Sequence, residues 1–255
     1  MKTTRFMKLG STAAALLLLA GLFSGTALSQ GAPNVLSGAA IKAKPDPAGR
    51  QVGMYATALS LVSYGKRNRS PVALIAAAEI LGNVATKPMT IEPQKITPTV
   101  VKLQTIKPGT FGNPKGVLNP ISLLSDAKKM SHNNPSVTSL ANGVEKELQE
   151  KTTRGAYGGP MISTEAESIN PDETQQWPVT YEGGEEATFA VTPLAEEGIP
   201  QVEVNVFDGQ RNAVASSYCG QQPCQVTFYP ATTGPFYITV HNRGASSVVY
   251  DFATN

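Results

Sequence analysis

The chain has 255 residues, of which 41% are hydrophobic and 16% charged, with a formal net charge of +2. Its apolar content excludes a wholly disordered polymer, and its length suits one large or two small domains. Two cysteines and two histidines severely limit metal and catalytic-triad chemistry.

Residues 1–29 read as a cleavable signal peptide. Lys2, Arg5 and Lys8 form a positive start, Ala13 to Phe23 an apolar stretch shorter than a bilayer span, and Ala27-Leu28-Ser29 a small-residue cut site. No cysteine lies near that cut, so lipid attachment to a new N-terminal cysteine is excluded. No later stretch approaches membrane length, so no membrane span is expected after cleavage.

Without the signal, 18 Lys+Arg face 19 Asp+Glu, a net charge of −1. That near-neutrality conceals a division. From Gln30 to Arg154 there are 16 basic and seven acidic residues, and from Gly155 to Asn255 two and 12, giving +9 against −10. Each half carries its own solvated charge, or the two attract one another and dissociate as salt is added.

Residues 30–45 are polar and aperiodic and are expected to be a flexible leader. A helical domain is predicted over 46–153. Asp46-Pro47, Ser70-Pro71, Asn119-Pro120 and Asn134-Pro135 each pair a capping side chain with a proline suited to the first helical position. The first helix is expected to end at Gly65 and the second at Gly82. Met54, Ala58, Leu61 and Val62 form the first apolar stripe; Val137, Leu140, Val144 and Leu148 form the last. Lys66-Arg67-Asn68-Arg69 joins the first two helices as a hairpin. Between them and the later helices lies a Pro-rich insertion at 83–118, with Val100, Val101, Leu103 and Ile106 as a short edge strand or extended cover.

A Gly-rich linker is expected at 154–175, after which the period changes from helical to alternating. Trp177, Val179 and Tyr181 share one strand face, as do Phe189 and Val191; Val202, Val204 and Val206; Val226 and Phe228; Phe236, Ile238 and Val240; and Val248, Tyr250 and Phe252. Residues 176–255 therefore predict an antiparallel β-sandwich. The fold class is α+β in two segregated parts, a small helical bundle or hairpin domain followed by the sandwich.

The run Val202 to Asp208, the Thr233-Gly234 turn and Phe236-Tyr237-Ile238-Thr239-Val240-His241-Asn242 followed by Tyr250 resemble the bacterial pre-peptidase C-terminal domain and its relatives. The resemblance covers about Gln176 to Asn255. It implies a non-catalytic β-sandwich of the kind commonly appended to secreted hydrolases, although no protease domain precedes it here.

Cys219 and Cys224 flank a predicted strand connection and are expected to form a disulfide in an oxidising compartment. Their spacing is not Cys-x-x-Cys, and no histidine lies beside them. His132 and His241 read as solvent-facing. Ser125-Asp126-Ala127-Lys128 followed by Ser131-His132-Asn133 echoes serine β-lactamase motifs, but both sit on one short helix and its exit, whereas that chemistry needs separate elements converging on a cleft. No metal site is predicted. The acidic pairs Glu165/Glu167, Glu185/Glu186 and Glu196/Glu197, and Asp208 at its turn, offer at most a weak calcium site, so no cofactor is expected.

Lys66, Arg67 and Arg69 form the densest basic cluster and are the candidate site for an anionic partner. The expected partner is an envelope or extracellular protein, a glycan or an anionic lipid headgroup. Nucleic acid is not expected for an exported chain whose basic cluster lacks interleaved aromatics. The sequence thus reads as a non-enzymatic exported binding or interaction protein, periplasmic or secreted. The alternatives are a cell-envelope structural or assembly factor, and a carboxylate-based hydrolase or its accessory module.

Overall fold

Four prolines set the helix starts. In the computed structural model, which describes residues 32–41, 46–96, 118–151, 161–163, 166–194 and 198–255, the helices are α1 (Pro47–Arg67), α2 (Pro71–Asn83), α3 (Pro120–Met130) and α4 (Pro135–Lys151). Residues 1–31, which include the expected signal peptide, residues 97–117 and residues 152–160 lie outside the described residues, as do Glu165, Glu196 and Glu197. Each helix has its expected cap. Asp46, Asn119 and Asn134 accept from the N–H groups of Ala48, Ile121 and Ser136 at 2.9, 2.9 and 3.0 Å, and Ser70 accepts from Ala73 at 3.4 Å.

Gly65 does not stop α1, nor Gly82 α2. A Cβ on Gly65 would meet Leu74 Cδ2 at 2.7 Å, and one on Gly82 would collide with Leu148. Both glycines therefore allow neighbouring helices to approach closely. The chain turns instead at Asn68 and Arg69, where φ of Arg69 is 49°. The buried stripe of α1 is Val52, Tyr55, Ala56, Leu59 and Val62 with Ala58, whereas Met54 is exposed, as is Leu140 on α4.

The strands are β1 (Lys87–Pro88), β2 (Gln94–Ile96), β3 (Met161–Ile162), β4 (Glu167–Ile169), β5 (Thr174–Tyr181), β6 (Ala187–Pro193), β7 (Val202–Phe207), β8 (Ala213–Cys219), β9 (Cys224–Phe228), β10 (Gly234–Asn242) and β11 (Val248–Thr254). They form two sheets, β1-β3-β11-β6-β9 with β4 also on β11, and β2-β5-β10-β7-β8. Every pairing is antiparallel except β1 with β3. The alternating residues read from sequence all point between the sheets, where Trp177 stacks on Phe252 with ring centroids 4.5 Å apart.

Both lateral edges of the sandwich are closed by chain that crosses between sheets. On one side β8 and β9 are the edge strands of opposite sheets and the turn between them carries the disulfide. On the other, β1 and β2 are the edge strands, and Met89 between them is buried in the sandwich core. The expected insertion at 83–118 thus contributes two strands to the sandwich, because Met89 and Ile91 supply apolar surface that the helices do not cover. The expected linker at 154–175 is likewise corrected, since β3, β4 and the start of β5 fall within it. The leader is anchored where it is described. Asn34 accepts from the Thr232 N–H and hydroxyl and donates to Thr232 O, each at 2.9 Å, and Leu36 N–H donates to Tyr229 O at 2.7 Å. Those bonds satisfy polar groups at the 229–232 turn, the physical reason a segment without periodicity is still ordered.

The helices pack on the outer face of the first sheet. Residues of all four helices, including Val52, Tyr55, Leu59, Leu74, Leu124 and Val144, form one buried cluster with Ile162, Ala190, Leu194 and Ala253 of the sandwich. Gly31–Asn255 is correspondingly one compact unit. The contact between the oppositely charged parts is lined mainly by apolar side chains, with the Tyr55–Asp251 hydrogen bond buried among them.

Candidate functional site

At the C-terminal end of α1, Ser60, Ser63, Tyr64 and Arg67 follow one another at steps of three, one and three, which places them on one helix face. Across from them stand Pro193 at the end of β6, Pro200, and Gln221 and Gln222 in the β8–β9 turn. Together these eight residues line a cleft of about 70 Å³. That volume is well below the roughly 300–1,000 Å³ of drug-sized pockets. It suits one small chemical group.

Two features singled out in the sequence meet here. The Cys219–Cys224 disulfide is formed, with an S–S distance of 1.98 Å and both residues buried. It closes the short turn that holds Gln221 and Gln222, reducing the freedom of that wall. The opposite wall carries Arg67, the one member of the basic cluster that lines the cleft; Lys66 and Arg69 are exposed at the α1–α2 turn. As last-turn cations, Lys66 and Arg67 also complement the negative end of the α1 dipole.

Among the described residues, no carboxylate lines the cleft. Its polar groups are a guanidinium, two amides, a phenol and two hydroxyls. The Ser60 hydroxyl donates to Ala56 O at 3.1 Å, while Ser63 Oγ is buried with no hydrogen-bond partner among the described residues. A buried hydroxyl without a partner forfeits about 1–3 kcal/mol, which a hydrogen-bonding ligand would restore. Pro193, Pro200 and Tyr64 supply the apolar walls. Of these residues the sequence reading named only Arg67; the helical spacing that sets Ser60, Ser63 and Tyr64 on its face was the signal that could have added them, whereas the facing prolines and glutamines became neighbours only through the fold.

Asp208, the weak calcium candidate, has a structural task. Its Oδ1 accepts from the N–H groups of Gln210 and Asn212 at 2.9 and 2.8 Å; its Oδ2 accepts from Asn34 N–H at 2.9 Å and from the Asn212 amide at 3.0 Å. The carboxylate is fully buried, so no lone-pair direction is left for a cation. Burial opposes its ionisation, but the Asn212 side chain and the N–H groups of Asn34, Asn212 and Gln210 outweigh it and hold the carboxyl below its ordinary range. Among the described residues, no three His, Cys, Asp or Glu side chains come together as a metal site.

The remaining titratable residues are dispersed. Lys128 of the Ser-x-x-Lys run pairs with Glu145 at 2.7 Å, and His132 is exposed in its turn with φ of 52°. His241 Nδ1 lies 2.8 Å from the Thr174 hydroxyl. Asp251 is buried beneath α1, where the Tyr55 hydroxyl donates to its Oδ2 at 3.3 Å and Oδ1 has no partner among the described residues. Burial pushes its carboxyl up to about 8 against the help of Tyr55, with Glu167 adding to the rise. It is shut inside the helix–sheet contact and does not line the cleft.

No family model matches the chain, and no curated protein matches it. Among solved structures, it is similar to a family two carbohydrate esterase from Cellvibrio japonicus, with 14% identity over 35% of this chain and a TM-score of 0.25; the match spans 26% of the esterase. It is also similar to TmCBM61, solved in complex with β-1,4-galactotriose, with 15% identity, 41% of this chain and 73% of that one covered, and a TM-score of 0.23.

Proposed function

We propose that this protein is an exported, non-enzymatic binding protein whose cleft between α1 and the disulfide turn holds an anionic group, a carboxylate or phosphate, displayed by an extracellular or envelope partner. The observation that carries this reading is the grouping of Arg67, a buried Ser63 hydroxyl and two side-chain amides around a group-sized space where, among the described residues, Ser63 Oγ has no hydrogen-bond partner and no carboxylate lines the wall. The arginine fork only donates and carries the charge, and the hydroxyl and amide N–H groups can donate beside it, so the ligand atoms this set favours are acceptors bearing negative charge.

Export is part of the same proposal. A formed disulfide fits an oxidising compartment, and among the described residues no helix is long and apolar enough to cross a membrane. The sandwich is, on this reading, a non-catalytic module of the pre-peptidase C-terminal kind, serving as a scaffold for one wall of the cleft. The test is an NMR titration of residues 30–255 with inorganic phosphate and with acetate, reading the amides of 60–67 and of Gly220, Gln221, Gln222 and Cys224. Saturable shifts in both segments that vanish in Arg67→Gln and weaken with salt are expected. Absence of shifts, or shifts unchanged in Arg67→Gln, would contradict the proposal.

A further inference from the structure

Gly155–Asn255 holds two basic residues, Arg211 and Arg243, among 12 acidic ones. Arg243 pairs with Glu203, whereas Arg211 has no carboxylate partner among the described residues. Residues 97–117, which follow β2 in the chain, contain Lys102, Lys107 and Lys115 and no Asp or Glu.

The turn between β7 and β8 holds Arg211 in place. The buried Asp208 carboxylate accepts from the Gln210 and Asn212 N–H groups, and the Arg211 N–H donates to Asp208 O at 2.9 Å. Arg211 takes a left-handed backbone there, with φ of 66°, a conformation uncommon outside glycine. Its side chain lies over the outer face of the sheet β2-β5-β10-β7-β8. The guanidinium carbon is 3.7 Å from the centre of the Tyr237 ring, and Nη1 donates at 2.7 Å to Oε1 of Gln176, which is only 5% exposed. Stack and bond hold the planar fork in one orientation. Because Arg211 remains exposed, its other N–H groups are available to a ligand.

The surroundings set the charge that this fork selects. The row through Tyr237, from Pro178 to Phe207, and the row through Gln176, from Gln94 to Ser216, carry neither a carboxylate nor a second cation. Glu203, in the row beyond, is bonded to Arg243. Asp208 already accepts four hydrogen bonds from Asn34, Gln210 and Asn212. A guanidinium held on a neutral patch is complementary to an anion, and its planar fork matches a carboxylate with two parallel hydrogen bonds. Phosphate fits the fork too, but its second charge is repelled more strongly by a half that carries −10. Pro178 and Phe207, half-buried on either side of Tyr237, offer apolar surface to the carbon body that bears the carboxylate.

We infer that Arg211 anchors a second binding site, which takes a monocarboxylate with an apolar body, the carboxylate on the guanidinium and the body on the flank made by Pro178 and Phe207. This site is separate from the cleft and does not depend on it. The test titrates isotope-labelled residues 30–255 with benzoate, acetate and inorganic phosphate, reading the Arg211 Nε–H resonance and the amides of Phe207 and Tyr237. Saturable shifts are expected, with benzoate at least about threefold tighter than acetate and phosphate weaker than either. In variants of unchanged melting temperature, Arg211→Gln should abolish the shifts at Phe207 and Tyr237. Arg211→Lys, which keeps the charge and loses the fork, should weaken benzoate at least about threefold. Arg67→Gln, in the cleft, should leave these shifts unaltered. Absence of saturable shifts, shifts that persist in Arg211→Gln, benzoate no tighter than acetate, or phosphate the tightest of the three would overturn the inference. Loss of the shifts in Arg67→Gln would place the carboxylate in the cleft and overturn it as well.

Discussion

The two sheets are made from similar strands and meet different surroundings. Every residue of β6 is buried, since Phe189 and Val191 face the sandwich core and Ala190 and Thr192, with Leu194 just past the strand's end, face the helices. In β7, by contrast, Val202, Val204 and Val206 are buried and alternate with partly exposed Glu203, Asn205 and Phe207. The covered sheet uses small side chains where helices must approach closely, and the other sheet, which no helix among the described residues covers, uses polar ones on its outward positions.

Two buried carboxylates sharpen the contrast. Asp208, at the end of an open-sheet strand, receives four hydrogen bonds and stays ionised, whereas Asp251, in the covered sheet, receives one and holds its proton to about 8. Asp251 lies far deeper in the protein and has Glu167 to repel its charge, so depth, that repulsion and the number of donors together set the two charge states.

The comparison breaks most visibly at Ala190, which is 1% exposed under the helices. Ala190→Glu buries a charge without a partner and is expected to cost more than about 4 kcal/mol, leaving little folded protein in a urea titration. Asp208→Ala strips partners from the Asn34, Gln210 and Asn212 donors and is expected to lower stability by about 3 kcal/mol in the same assay.

Asp251 responds to pH with the opposite sign to Asp208. The unfolded Asp251 ionises near its ordinary value while the folded one keeps its proton to about 8, so stability falls as pH rises through that window. For Asp208 the folded carboxyl ionises more readily than the unfolded one, so its contribution is lost as pH falls below the ordinary carboxylate range. Asp251→Asn removes the first dependence. It is expected to raise stability at pH 8 by at least about 1.4 kcal/mol, the equivalent of one pKa unit, and to change little at pH 4. Thermal melts at the two pH values check this. The smallest effect belongs to the open sheet: Ser216→Glu at an exposed edge-strand position is expected to shift stability by no more than about 0.5 kcal/mol.

The capped helices and the inward strand positions were legible because proline, capping side chains and alternation act locally. Cys219 and Cys224 were readable as a pair for the same reason, being five residues apart. What escaped was the third layer. Ala190 and Ala253 carry too little apolar surface to announce a second buried face, and Thr192 and Asp251 between them read as solvated. The two strands in the Pro-rich segment were hidden because each is only two or three residues long and is defined by partners more than 70 positions away. Half of the cleft was invisible for that reason too. Arg67 was in view, but Ser60, Ser63 and Tyr64 were not singled out, and Pro193, Pro200, Gln221 and Gln222 join them only once α1 docks on β6.

The cleft exists only if the helical layer and the sandwich fold as one body, and this is directly measurable. Trp177, the single tryptophan, is buried between the sheets, so its fluorescence reports the sandwich while far-UV dichroism at 222 nm reports mainly the helices. Equilibrium unfolding of residues 30–255 in urea should give one coincident transition by both signals, at low salt and again in 1 M sodium chloride, because the buried contact is mainly apolar. Two separate transitions, or a helical signal that leaves first when salt is added, would contradict it.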